Sequence, residues 1–161
     1  MRTIEQILKE TKVIAVVGLS DKPDRPSFGV AMYLQSQGYR IIPVNPNITE
    51  ALGEKAYPNL TSVPHKIDLV DIFRRPADVP PVVDEAIARL TLNPSLPKDM
   101  GFHLERDGKA ERRSNEAPAV WMQLGIVNQP TADKAASAGL DVVMDHCAKV
   151  EHQKLRAQRK L

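Results

Sequence analysis

Val13-Ile14-Ala15-Val16-Val17, stopped by Gly18, constrains this chain more than any other stretch. Five apolar, mostly β-branched side chains leave no polar face, so a strand built from them must be covered on both sides. Such strands belong to parallel sheets packed between helices. The rest of the chain follows the same alternation. Thr3 to Glu10 reads as a short helix, with Ile4, Ile7 and Leu8 at helical spacing. Phe28 to Gln37 reads as another, with Val30, Ala31 and Leu34 on one face and Gly38 as its stop. Arg40 to Val44 is a second strand, closed by Asn45-Pro46, and Ile67 to Phe73 is a third. Asp78 stands where it would cap a helix carrying Val82, Val83, Ala86, Ile87 and Leu90. Ala119 to Met122, Asn128 to Ala138, Leu140 to Met144 and Ala148 to Gln158 continue as strand, helix, strand, helix.

The alternation predicts an α/β fold: a Rossmann-like, doubly wound parallel sheet in three layers, with residues 1–161 forming one domain. Ile48 to His65 is less regular, with turns at Tyr57-Pro58 and Val63-Pro64. Residues 91–118 break the rhythm, with Pro94, Pro97 and Pro118, five basic residues and little apolar periodicity. Helix-to-strand connections normally take about 2–6 residues. This segment is therefore expected to be a surface insertion, with a lid as the alternative and a small hairpin around Asp107-Gly108.

Composition removes several function classes. Charged residues make up 26% and hydrophobic ones 42%, which is globular rather than disordered. Lys and Arg number 22 against 20 acidic residues, too balanced for a nucleic-acid face. The one dense basic run, Lys154 to Lys160, fits a solvated helix end. Cys147 is the only cysteine, so neither an internal disulfide nor a cysteine-based zinc site is available. No apolar run approaches a membrane span and no leader pattern opens the chain. The cytoplasm is the expected compartment.

In an open parallel sheet, ligands bind beyond the carboxyl ends of the strands. Four such ends turn polar or unusual where the apolar run stops: Gly18-Leu19-Ser20, Asn45-Pro46-Asn47, Phe73-Arg74-Arg75-Pro76 and Trp121-Met122-Gln123. The first loop, from Gly18 to Gly29, leads into a helix whose free N–H groups suit a phosphate. Ser20 and Ser27 add hydroxyls there, and Lys22 and Arg25 add charge. Ser27 also reads as the helix N-cap, a role compatible with phosphate contact. Arg74 and Arg75 match phosphate oxygens with their guanidinium forks. Trp121 is read toward the ligand groove because Gln123 is polar and the strand is ending; the alternative is a core tryptophan. Neither the G-x-G-x-x-G pattern nor a carboxylate at the end of the second strand is present, which disfavours NAD. No Gly-Lys-Ser/Thr follows the first strand either, which disfavours ATP.

With these residues in place, the sequence resembles the CoA-binding domain family, typified by the N-terminal domain of the succinyl-CoA synthetase alpha subunit. It is most similar to the small stand-alone bacterial members. The resemblance is carried by VIAVVGLSDKPDRPSFGVAMYL (13–34), GYRIIPVNPN (38–47), LVDIFRRP (69–76), AVWMQLGI (119–126) and AGLDVVMDHC (138–147). It implies a coenzyme A or acyl-CoA site at the first loop. Gly18, Leu19, Ser20 and Lys22 would meet the phosphates or adenosine, and Asn45 and Pro46 would lie by the adenosine. Phe73 to Pro76 and Trp121 to Gln123 would border the remainder. The long segment at 91–118 departs from the family pattern.

No catalytic constellation is legible. His65, His103, His146 and His152 share no strand end with a nucleophile, and the adjacent His146-Cys147 is not a pair by sequence alone. Cys147 reads as a half-buried thiol. The leading expectation is a CoA-binding module without its own reaction. Two alternatives are an enzyme on CoA esters completed by a partner protein, and an NAD(P)-binding Rossmann protein. A second copy of the chain or a separate protein is the partner this reading leaves room for.

Overall fold

The computed structural model describes residues 1–91 and 118–161. Its centre is a five-stranded sheet of β1 (Val13–Val17), β2 (Arg40–Val44), β5 (Leu69–Ile72), β6 (Ala119–Met122) and β7 (Asp141–Val143). The spatial order is β2-β1-β5-β6-β7, with every pairing parallel. Two short strands, β3 (Glu50–Ala51) and β4 (Glu54–Lys55), form a separate hairpin.

Helices α1 (Ile4–Glu10), α2 (Pro26–Ser36) and α5 (Ala148–Ala157) lie on one face, and α3 (Val79–Thr91) and α4 (Gln129–Ser137) on the other. The first face packs Ile7, Leu8, Leu34 and Ala148 against Ile14, Val16, Ile41 and Trp121. The second packs Val79, Val83 and Ala135 against Val17, Ile42, Val70 and Met122. Both faces are covered, which is why the strands read as unbroken apolar runs. Full burial of each such side chain contributes about 1.5–3 kcal/mol.

Local chemistry sets the element ends. Thr3 caps α1 reciprocally with Gln6: its hydroxyl accepts from the Gln6 N–H at 3.2 Å and its own N–H donates to Gln6 Oε1 at 2.9 Å. Asn128 caps α4 through Thr131. Helix α2 stops before Gly38, whose φ of 99° suits glycine. The irregular stretch before β5 is tied down from α3. Glu85 accepts the Leu60 N–H at 2.8 Å, and Arg89 donates to the carbonyls of Leu60, Val63 and His65.

Two details differ from expectation. Helix α2 begins at Pro26, so Arg25 is its N-cap and Ser27 sits inside the first turn. Proline is favoured at the first helical position because it lacks the N–H left unpaired there. The Asp78 carboxylate accepts from Arg75 Nε at 2.9 Å, within a 3-10 turn (Pro76–Asp78) that precedes α3. The expected insertion at 91–118, with its hairpin, lies outside the described residues except for Thr91 and Pro118.

Candidate functional site

Strand order reverses between β1 and β5, because the chain leaves β1 toward β2 and later returns to add β5 on the other side. That reversal opens a crevice at the carboxyl ends of β1 and β5. Gly18 ends β1 with a φ of 88° and donates its N–H to the Val44 carbonyl at 2.8 Å. A Cβ placed on Gly18 would lie 2.3 Å from the Phe73 carbonyl oxygen and 3.4 Å from Arg74 Nε. Two loops thus meet backbone to backbone, with the Arg74 guanidinium beside the contact. Only glycine has both the conformation and the room.

The first loop is held from beneath. Leu19 is fully buried, and its carbonyl accepts from Asn45 Nδ2 at 3.0 Å. The Asn45 Oδ1 accepts from the Asn47 N–H at 2.9 Å, so one buried amide clamps two loops. The Ser20 N–H donates to the Ser27 hydroxyl oxygen at 3.0 Å, and the Ser20 hydroxyl oxygen accepts from the Lys22 N–H at 3.1 Å. Among the described residues no side chain caps the first turn of α2, which leaves its positive end facing the loop. Lys22 and Arg25 are exposed beside it, and among the described residues neither they nor Arg74 form an ion pair. A 380 Å³ cleft opens on the flank of this loop, between Asp21, Phe28 and the β3–β4 hairpin.

The sequence-predicted residues divide. Gly18, the Leu19 backbone, Ser20, Ser27, Asn45, Phe73 and Arg74 come together at the crevice. Pro46 and Pro76 are exposed near it. Arg75 does not join Arg74: it pairs with Asp78 at 2.9 Å and its side chain is 86% exposed. Ser27 is no N-cap, since its buried hydroxyl serves the Ser20 N–H instead. Trp121 is the clearest correction. Its ring is wholly buried among the side chains beneath α1, α2 and α5, and its Nε1 donates to the His146 carbonyl at 2.8 Å. The side chain faces the core, because alternation along β6 sends position 121 inward under α5. Met122 is equally buried, on the opposite face.

Sequence reasoning missed Asp71, a carboxylate inside the apolar run Leu69-Val70-Asp71-Ile72. It has no solvent exposure, and its Oδ1 accepts from Gln123 Nε2 at 2.6 Å. Burial pushes its carboxyl up to about 7, against the opposing effect of the Gln123 bond. An acidic residue in an otherwise apolar strand was the available signal.

His146 lies past the carboxyl end of β7, with its Nδ1 3.4 Å from Glu151 Oε1. Cys147 is half-buried at the start of α5. Among the described residues no group of three or more His, Cys, Asp or Glu is placed to hold a metal ion. No helix among them is long and apolar enough to cross a membrane.

A parallel sheet with a glycine-lined crevice at its switch point defines a ligand-binding α/β protein of Rossmann-like class. This chain belongs to the CoA binding domain family, whose pattern matches residues 12–96 and 106–153. It is 41% identical over 149 residues to the uncharacterized protein YneT of Bacillus subtilis, covering 92% of this chain and 91% of that one. It is 31% identical over 102 residues to the ADP-forming acetate–CoA ligase II of Archaeoglobus fulgidus, a match to 62% of this chain and 15% of that enzyme. Among solved structures, a hypothetical protein from Pyrococcus horikoshii superposes with a TM-score of 0.74 at 34% identity, covering 94% of this chain and 89% of that one. A Thermus thermophilus protein superposes at 0.75 with 30% identity, covering 96% and 99%.

Proposed function

We propose that this protein binds coenzyme A or an acyl-CoA across the carboxyl edge of the sheet and carries no reaction of its own. The pyrophosphate rests on the first loop and the open N-terminus of α2, where N–H groups and the helix dipole favour an anion. Arg74 supplies the nearest guanidinium, with Lys22 and Arg25 at the rim. The adenosine lies by Asn45 and Pro46, and the pantetheine arm runs past Phe73 toward the carboxyl end of β6. Trp121 and Met122 support that end from below, Gln123 is buried on Asp71, and ligand contact there is left to the backbone. The observation that carries this reading is the Gly18–Phe73 approach with Arg74 beside it at the switch point.

A thermal-shift titration with CoA, acetyl-CoA, dephospho-CoA, NAD and ATP tests it. A ligand at a hundredfold excess over its Kd stabilises by about 2.7 kcal/mol, a readily measured rise in Tm. Shifts with CoA or its esters and none with NAD are expected; a shift with NAD alone overturns the reading.

A second reading has one observation in its favour. The related segment in the acetate–CoA ligase is a small part of a larger enzyme, so this chain would supply the CoA site to a reaction completed by a partner. Turnover of acetyl-CoA by the purified chain alone would overturn both readings.

A further inference from the structure

Asp71 has no part in the binding scheme above, yet it lies directly under it. Strand β5 runs between β1 and β6, and register sets Asp71 beside Val16 on one side and Trp121 on the other. Leu69 and Phe73, on the same face, pack with the α1, α2 and α5 layer. Phe73 is two residues further on, about 7 Å along the strand, and its carbonyl meets Gly18. The carboxyl group is thus one pleat below the surface where an anion would rest. Its Oδ1 takes the Gln123 amide, while its Oδ2 is buried with no hydrogen-bond partner among the described residues. Gln123 itself follows the end of β6, at the same edge.

Among the described residues no charge pairs with this group. On α2, Tyr33 is bonded to His152 of α5 at 2.8 Å. Glu151 of α5 is engaged with His146 and Lys154, and Glu5 with Lys9 on α1. Asp21, Lys22, Asp24 and Arg25 of the first loop are exposed, and Arg74 lies beside Gly18. Burial raises the Asp71 carboxyl, and the Gln123 bond opposes that rise. A buried carboxylate oxygen without a partner is costly, whereas a protonated carboxyl is tolerated.

We propose that Asp71 links proton binding to anion binding at this edge: the protonated carboxyl admits the ligand's phosphates and the ionised one repels them. The inference rests on the CoA reading for the identity of the ligand, while the coupling itself requires only an anion at the first loop. Linkage makes the effect reciprocal, so a bound anion raises the proton affinity of Asp71. Two like charges about 10 Å apart in a partly buried setting interact strongly enough to change affinity roughly tenfold. The group titrates near neutrality, so the change falls in an accessible pH range.

The experiment is calorimetric titration with CoA between pH 6 and 8.5, on the unaltered protein and on Asp71→Asn. The thiol and phosphates of CoA titrate equally in both, so the difference isolates Asp71. Affinity of the unaltered protein is expected to weaken about tenfold more than that of the variant as pH rises; parallel profiles overturn the proposal. A second measurement does not depend on the variant folding. The Asp71 carboxyl carbon, followed by NMR in ¹³C-labelled protein, is expected to titrate about one pH unit higher with CoA bound, and an unchanged midpoint overturns the coupling. Inorganic pyrophosphate separates the two ideas. If it moves the Asp71 midpoint where CoA does not bind, the coupling stands and the CoA reading falls. If neither ligand binds, both fall.

Discussion

The two halves of the sheet's carboxyl edge are built on different principles. At the β1–β2 half, the site is backbone: Gly18 against the Phe73 carbonyl, the Leu19 carbonyl held by Asn45, and Ser20 held by Ser27. Its charges, Lys22 and Arg25, are exposed at the rim. At the β5–β6 half, the polar groups are side chains sunk into the core, with Asp71 on Gln123 and the Trp121 indole on the His146 carbonyl. The first half is suited to receiving an anion, since N–H groups and helix dipoles need no desolvated counter-charge. On the proposals above, the second half sets the electrostatic floor beneath it, which gives the edge a contact side and a tuning side.

Gly18→Ala attacks the contact side and has the largest expected effect. The added methyl group meets backbone at 2.3 Å in a left-handed conformation, so a loss above about 3 kcal/mol is expected in denaturant unfolding. Gly38→Ala is the control, because it has a positive φ but nothing within 4 Å, and about 1 kcal/mol is expected there. Equal losses would show that the close approach does not matter.

Trp121→Ala attacks the tuning side, and a loss of about 3–5 kcal/mol is expected from the emptied core. The milder Trp121→Phe should lower stability while leaving CoA affinity within about twofold. A large affinity loss at unchanged stability would return Trp121 to the groove.

The Asp71 carboxyl, raised to about 7 from an ordinary 3.8, gives a signed pH dependence. Between these values the native state holds a proton that the unfolded chain has released. Stability from this group is therefore complete below about pH 4, falls as pH rises to about 7, and levels off above. Asp71→Asn should remove that slope in urea unfolding across the same range. Identical slopes would place the titration elsewhere.

The smallest effect tests where the halves meet. Arg74→Ala should weaken CoA binding about tenfold or more, whereas Arg75→Ala, whose side chain is exposed and already paired with Asp78, should stay within about twofold. Equal losses would reunite the two arginines as a single phosphate clamp.

Much of this was legible from residue order. β1 and β2 lie where their apolar runs stand, and each helix begins within about two residues of its expected start, because period and caps are local properties. The family resemblance was carried by contiguous blocks. The corrections have two causes. Ser27 is displaced from the cap by Pro26, whose preference for the first helical position is itself local and was available. Asp71 had a local signal too, as an acid inside an apolar run, whereas the orientation of Trp121 and the separation of Arg74 from Arg75 depend on which element lies overhead.

The sequence by itself determined the strands of the central sheet and its helices, their order along the chain and the glycine turn at the end of β1, since hydrophobic period and backbone conformation act over a few residues. Only the tertiary structure decided that Asp71 meets Gln123, 52 positions away, and that Trp121 points under α5. Those neighbours are created by parallel crossovers, and desolvation, which makes a carboxyl hold its proton near neutrality, exists only once the layers have closed.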